Sequence, residues 1–204
     1  MIVVKQSGVL IDPPKGIALL KKIESAGRTC YRSESKITVG SCVAFVKKII
    51  KMGHESVLEH GAITVRFITN RGVSHELVRH RVGVVFSQES TRYVTYDGET
   101  EVIEPVWYDT ASQPQKLLWW TSLTQSISYY KELLAAGWSA QFARDVLPNA
   151  LKTEIVVTAN PRQWRTMFKL RCAPAAHPQI RDLMIRTLKG FKRKFPILFD
   201  DLKY

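Results

Sequence analysis

Arg79-His80-Arg81 and, after four intervening residues, Phe86-Ser87-Gln88-Glu89-Ser90-Thr91-Arg92-Tyr93 place three cationic or ionisable donors and a run of hydrogen-bonding side chains within fifteen residues. The apolar pair Val84-Val85 lies between them. Arginine forks match phosphate oxygens and the edges of planar heterocycles, so the segment reads as a site for a nucleotide, with capacity for a second anionic ligand. Each half also has a plainer reading: Arg-His-Arg as a solvated basic helix end favoured by the helix dipole, and Gln88 to Arg92 as a polar edge strand.

Locally, Ser74 can cap a helix running into Arg79. Helical spacing then brings Glu76 to one face with Arg79 and His80, whereas Arg81, roughly 200° further round than Arg79, points to a different ligand or a different part of one. A β segment is expected around Ser90 to Val94. If Gln88 to Arg92 is extended, Gln88, Ser90 and Arg92 form one row, and Glu89 and Thr91 the other. An amide, a hydroxyl and a guanidinium in one row make a cradle for a base, a sugar and a phosphate.

Further along the chain, Arg144 precedes Val146-Leu147-Pro148, and Asn160-Pro161 is a helix start with Asn as cap and Pro at the first position. The helix it opens spaces Arg162, Thr166 and Leu170 four apart and closes at Arg171. Free amides at such a start can hold an anion, although Asn160 is first of all a cap and Arg144 can equally be a surface ion-pair partner. Gly53-His54-Glu55-Ser56-Val57-Leu58-Glu59-His60 reads as a surface loop, where His54, Ser56 and Glu59 are suited to binding.

The remaining elements follow from periodicity. Ile2 to Val4 is a short strand; Pro13-Pro14 starts a helix through Ile17, Leu20 and Ile23 that ends near Gly27. Ser41 to Met52 is a helix stopped by Gly53, and Ala62 to Ile68 alternates as a strand turned by Asn70-Arg71-Gly72. Ser112 to Gly137 is a long helix with Leu117, Leu118, Trp120, Leu123, Ile127 and Tyr130 near one broad face, as core or subunit interface. Ser139 to Val146 is a short helix halted by Pro148, Ile155-Val156-Val157 a buried strand or helix start, and a last helix from about Pro178 buries Ile180, Met184, Leu188, Phe191 and Phe195. With no repeat or linker, residues 1–204 are expected to form a single α+β domain.

The 204 residues are 45% hydrophobic, enough for a real core. The net charge of +12, from 30 Lys and Arg against 18 Asp and Glu, points to anionic partners. The N-terminus does not resemble a signal peptide and no apolar run reaches the ~18 residues of a membrane span, so a cytoplasmic protein is expected. Three cysteines at wide spacings fit neither a disulfide framework nor a zinc site, and the five histidines include no HExxH, so no metal is expected.

Taken together, Gly53 to His60, Arg79-His80-Arg81 with Ser90, Arg144-Asp145-Val146-Leu147-Pro148, and Asn160-Pro161-Arg162 leading to Leu170-Arg171 resemble the flavin-dependent thymidylate synthase (ThyX) family. The likeness runs from about Arg28 to Arg181. There are two departures. Eight residues rather than seven separate Arg-His-Arg from the serine, with the extra one placed in Val82-Gly83-Val84-Val85, and Thr166 stands where an amide residue is often found.

The resemblance implies helices packed around a small, mainly antiparallel sheet. It also implies methylation of dUMP to dTMP, with carbon from 5,10-methylenetetrahydrofolate and a hydride from FAD reduced by NADPH. Carried over, Ser56, Arg79, His80, Arg81, Gln88, Asn160, Arg162 and Thr166 contact FAD. Glu76, Leu77, Val78, Arg79, Gln88, Glu89, Ser90, Thr91, Arg92, Arg144 from a neighbouring subunit and Arg171 hold dUMP, in a homotetramer with active sites where subunits meet. Arg171 is the expected catalytic residue, as a fixed cation favouring the ionised, electron-rich pyrimidine. Ser90 has no evident histidine-acid pair to activate it and is assigned to binding; the cysteines are read as structural, with Cys30 able to line the flavin pocket. Neither nucleic acid nor membrane is an expected partner. A basic nucleic-acid-binding module, with Phe86, Tyr93, Trp107, Trp119 and Trp120 as stacking surfaces, is the competing reading, and a catalytically lapsed flavoprotein a third.

Overall fold

The structure, a computed structural model, describes residues 1–204. In chain order the elements are β1 (Ile2–Val4), β2 (Ser7–Ile11), α1 (Gly16–Thr29), α2 (Ser41–Lys51), β3 (Ile63–Asn70), α3 (Arg71–Leu77), β4 (Val84–Gln88), β5 (Glu101–Ile103), α4 (Gln113–Ala135), α5 (Ala140–Ala143), β6 (Lys152–Ala159), α6 (Pro161–Arg171), α7 (Pro178–Lys194) and α8 (Pro196–Phe199). Short 3-10 turns lie at Glu34–Lys36, Glu55–Glu59, Tyr108–Thr110 and Arg144–Val146. The class is α+β, as expected. One sheet has the strand order β2-β3-β6-β4 and the other pairs β1 with β5. The alternation read in β3 is realised, with Ile63, Val65 and Phe67 buried and Arg66 exposed, because successive strand side chains point to opposite faces.

The residues fall into two compact units. The first comprises Met1–Ser7, Phe67–Arg79 and Ser87–Val156, and the second Gly8–Arg66, His80–Phe86 and Val157–Tyr204. In the first, β1 and β5 pair in parallel, Ile2 with Glu101, Val3 with Val102 and Val4 with Ile103. This parallel pair is a sheet of its own, apart from the four-stranded one. Nearly a hundred residues separate the two strands, and a connection that long imposes no hairpin. Val102, Leu123 and Ile127 form a core against which Met1, Val3, Trp119 and Ala150 pack.

Helix α4 begins with a capping box, Ser112 accepting from the Gln115 amide while the Gln115 side chain accepts from the Ser112 amide. Its apolar residues divide: Leu123, Ile127 and Tyr130 are buried at spacings of four and three, whereas Leu117, Leu118 and Trp120 are exposed. The 23-residue α4 is the longest helix, and no helix is long and apolar enough to cross a membrane.

The second unit is held by aromatic packing. The Phe191 ring lies 5.0 Å from those of Trp164, Phe168 and Phe199, and the Trp164 indole donates to the Ile63 carbonyl at 2.9 Å. Such pairs add about 0.5–1.5 kcal/mol each beyond the area they bury. Beside them Arg165, 2% exposed, donates to both Asp201 carboxylate oxygens at 2.7 and 2.6 Å and to Glu55 at 3.3 Å. Gly53 ends α2 as expected, with φ +73°. Helix α1 ends at Thr29, near Gly27 as expected, but Gly27 itself is not its cap. It lies inside the helix, where a Cβ would come within 2.5 Å of the Phe45 ring and 2.9 Å of Val57, so it permits close packing rather than termination.

Candidate functional site

The signature segment is locally built differently from its periodicity. The cap of α3 is Asn70, whose side-chain oxygen accepts from the Val73 amide at 2.8 Å, and the helix ends at Leu77. Ser74 is therefore not a cap. It is buried inside the helix, donating to the Arg71 carbonyl at 2.9 Å and accepting from the Gln88 amide group at 2.9 Å. An earlier Asn in extended geometry satisfies the first free amides, which leaves Ser74 nothing to cap. Because Val78 and Arg79 form a turn, the helical face expected to join Glu76 to His80 does not exist.

In the second unit, Val82-Gly83 form a turn and β4 starts at Val84. Gly83 has φ +62°, and a Cβ on it would sit 3.2 Å from Gln163 Cγ and 3.3 Å from Asn160 Nδ2. This loop is thus a left-handed turn seated on the start of α6. Asn160 caps that helix as expected, accepting from the Gln163 amide at 2.9 Å. At the other end of α6, Arg171 Nε donates to His80 Nε2 at 3.0 Å. Burial, then the Arg171 charge, holds the His80 imidazole below its ordinary value of 6.5. An imidazole nitrogen that accepts must be unprotonated, so His80 is neutral with its proton on Nδ1. Arg81 is exposed.

The second unit also contains a 970 Å³ cavity. Ser56 and Arg162, widely separated in sequence, line it together with His54 and Cys30. The segment carrying His54 and Ser56 is not an irregular loop but the 3-10 turn Glu55–Glu59, anchored by fully buried Leu58; Leu58 is the apolar signal that a surface-loop reading undervalues. Arg162 donates to Glu59 at 2.6 Å. Thr166 is exposed and donates to the Arg162 carbonyl at 3.2 Å. Arg28 and Phe45 also line the cavity and were not singled out from sequence, since α1 and α2 read there simply as amphipathic helices.

In the first unit the expected row of Gln88, Ser90 and Arg92 is not formed, because β4 ends at Gln88 and Thr91 to Tyr93 is a turn. The β segment expected at Ser90 to Val94 is absent for the same reason. The Ser90 hydroxyl accepts from the Arg92 amide at 3.3 Å, the kind of local bond that competes with a strand ladder. Gln88 spends its amide donors on Ser74 and, at 3.2 Å, Thr153. Glu89 accepts from the Tyr96 hydroxyl, and the Tyr96 phenol is raised above its ordinary range by burial and by that bond.

Thr91 is buried and accepts from Arg144 Nη1 at 3.4 Å. Both residues line a 280 Å³ cavity that also includes Arg71 and His75. Those two were missed in the sequence, although their spacing of four on α3 was a readable signal. Among the remaining candidates, Leu77 is fully buried, Glu76 and Val78 are half-buried, and Arg79 is exposed. Cys172 is buried, its thiol pushed up to about 11 by that burial, which suits a structural residue rather than a nucleophile. No three His, Cys, Asp or Glu side chains are grouped as a metal site.

With this geometry in view, the family profile described as thymidylate synthase complementing protein (Thy1) matches residues 18–197, residues of both units. A Geobacter sulfurreducens protein called flavin-dependent thymidylate synthase is 35% identical over 197 residues, covering 93% of this chain and 82% of the relative. Proteins of the same name from Corynebacterium diphtheriae and Mycobacterium avium are 35% and 36% identical, each over 89% of this chain and 78% of the relative. In three dimensions the chain is similar to the UMP/dUMP methylase PolB from Streptomyces cacaoi, solved with 5-Br dUMP, with a TM-score of 0.81 over 98% of this chain and 96% of that one. At 20% identity this likeness speaks for the fold. On the profile match and on relatives of this identity and coverage, the chain belongs to the thymidylate synthase complementing protein family.

Proposed function

We propose that the chain is a flavin-dependent thymidylate synthase that reductively methylates dUMP to dTMP, and that residues 1–204 act as one catalytic domain. The observation that carries this reading is the match, over 93% of the chain, to a relative bearing that name. A flavin cofactor is supported by the 970 Å³ cavity, where Ser56 and Arg162 meet the Phe45 ring and the Arg28 cation. A cavity of this size, with an aromatic face and several cations, fits a dinucleotide. When bound, the flavin supplies the hydride, with NADPH as its reductant and 5,10-methylenetetrahydrofolate as carbon donor.

The protein's own part is orientation and electrostatics. Arg171 is the catalytic residue of this reading: its cation, placed beside the pyrimidine, stabilises the ring's ionised form. Neutral His80 takes the Nε edge of that guanidinium and fixes its orientation. His80, Arg79, Arg81, Gln88, Asn160 and Thr166 complete the flavin contacts with Ser56 and Arg162. Glu76 to Arg79, Gln88 to Arg92 and Arg171 hold dUMP, with Arg144 from a neighbouring subunit.

Self-association as a homotetramer is supported by the exposed Leu117, Leu118 and Trp120 of α4, since apolar side chains grouped at a surface mark interaction sites. A cytoplasmic setting suits the three free cysteines.

The test is the visible spectrum of the purified, FAD-reconstituted protein, followed by bleaching with NADPH and formation of dTMP from dUMP. A yellow protein that NADPH bleaches and that forms dTMP is expected. A colourless protein that binds oligonucleotides with steep salt dependence would replace this reading with the nucleic-acid module.

A further inference from the structure

Glu24 of α1 is 1% exposed, and both of its carboxylate oxygens are engaged. Oε1 accepts from Arg28 Nε at 3.2 Å and Nη2 at 2.8 Å, and Oε2 accepts from the Ser41 hydroxyl at 2.8 Å. A carboxylate this deeply buried persists only where partners compensate its lost hydration. The Arg28 guanidinium lies over the Phe45 ring, 4.7 Å from its centroid. Arg28, Ser41 and Phe45 all line the 970 Å³ cavity. The result is a planar cation fixed along one edge by Glu24 and against one face by Phe45. Its Nη1 forms no bond within the protein, and the Arg28 side chain keeps 18% exposure.

We propose that Arg28 is a recognition residue for the adenosine diphosphate half of the dinucleotide, and that Glu24 and Ser41 position it. This rests on the flavin reading above. A stacked guanidinium offers its free face to an electron-rich nucleobase and its remaining N–H groups to a phosphate. Lys36 and Lys48 line the same cavity and add charge where a dinucleotide carries its own, at the diphosphate. An oxidised isoalloxazine is neutral and electron-poor, so the cations and the stacked guanidinium select the other end of the molecule. Glu24, which touches no ligand, acts only through Arg28.

The test uses full-length protein and measures FAD binding by flavin fluorescence, ADP competition, and FMN binding as the control. Arg28→Lys keeps a cation for Glu24 but removes the fork and the planar face. The expected result is FAD affinity about tenfold weaker, the scale of one charge-assisted hydrogen bond, with ADP competition lost and FMN binding within about twofold of the parent. Ser41→Ala should weaken FAD and ADP severalfold in the same pattern. The Glu24→Gln, Arg28→Gln double variant removes both charges together and avoids an unpaired buried carboxylate; its fold is checked by circular dichroism. Parent-like FAD and ADP binding in a folded Arg28→Lys or double variant would overturn the role, as would equal losses of FMN and FAD. A parent protein that binds ADP through Arg28 but no FAD would sink the flavin reading while sustaining the site.

Discussion

Arg171 Nε and His80 Nε2 are 3.0 Å apart, joining the last residue of α6 to a signature histidine 91 positions earlier in the chain. The bond requires an unprotonated acceptor nitrogen, so the pair is intact only while His80 is neutral. Stability in acid and the anchoring of the Arg171 guanidinium both depend on that state.

The first is acid sensitivity. The folded-state pKa of His80 lies below 6.5, so folding favours the neutral ring. Its contribution to stability is complete above pH 6.5 and is lost as pH falls from 6.5 through the depressed folded value. Thermal melts of ligand-free protein between pH 7.5 and 5.5 should show a flatter pH dependence for His80→Gln than for the parent. Equal slopes would show that the pair does not titrate this way.

Arg171→Ala should leave the fold and flavin binding largely intact while turnover falls by two orders of magnitude or more, as for loss of a positioned charge-stabilising group. Single-turnover dTMP formation checks this. Activity within a few fold of the parent would remove Arg171 from the chemistry.

Ser90→Ala should reduce turnover without abolishing it, because the Ser90 hydroxyl is engaged by the Arg92 amide and has no base to activate it. Complete loss with dUMP binding preserved, measured calorimetrically, would restore Ser90 as a nucleophile.

Cys172→Ala should retain turnover within about twofold, with a loss of stability on the order of 1 kcal/mol for a small buried cavity. In the folded protein the thiol, pushed up to about 11, should resist alkylation at pH 8 while exposed Cys30 reacts. Modification of Cys172 at the Cys30 rate would contradict its burial.

Gly83→Ala tests the left-handed turn before β4. A left-handed alanine costs roughly 1–2 kcal/mol, which lowers Tm by roughly 2–4 °C per kcal/mol in a protein of this size. The added methyl would also press on Asn160 and Gln163. An unchanged Tm would mean that the turn relaxes elsewhere.

The sequence by itself determined the features that depend on near neighbours. The alternation of Ile63, Val65 and Phe67, the Asn160-Pro161 helix start and the stop at Gly53 are written in spacings of two to four residues, and each appears where the spacing put it. The family, too, was legible in four ordered blocks.

Tertiary structure decided the rest. Whether Ser74 caps or is buried depended on Asn70 and Gln88, and whether Ser90 to Val94 is a strand depended on a hydroxyl bond competing with ladder pairing. Gly27 became a packing contact only because Phe45 and Val57 arrive there from other elements. The Glu24–Arg28–Ser41 network, the cavity joining Ser56 to Arg162, and the His80–Arg171 bond bring together residues up to about a hundred positions apart. Their energies come from burial and long-range hydrogen bonds, which exist only once the chain has closed on itself and which no local period encodes.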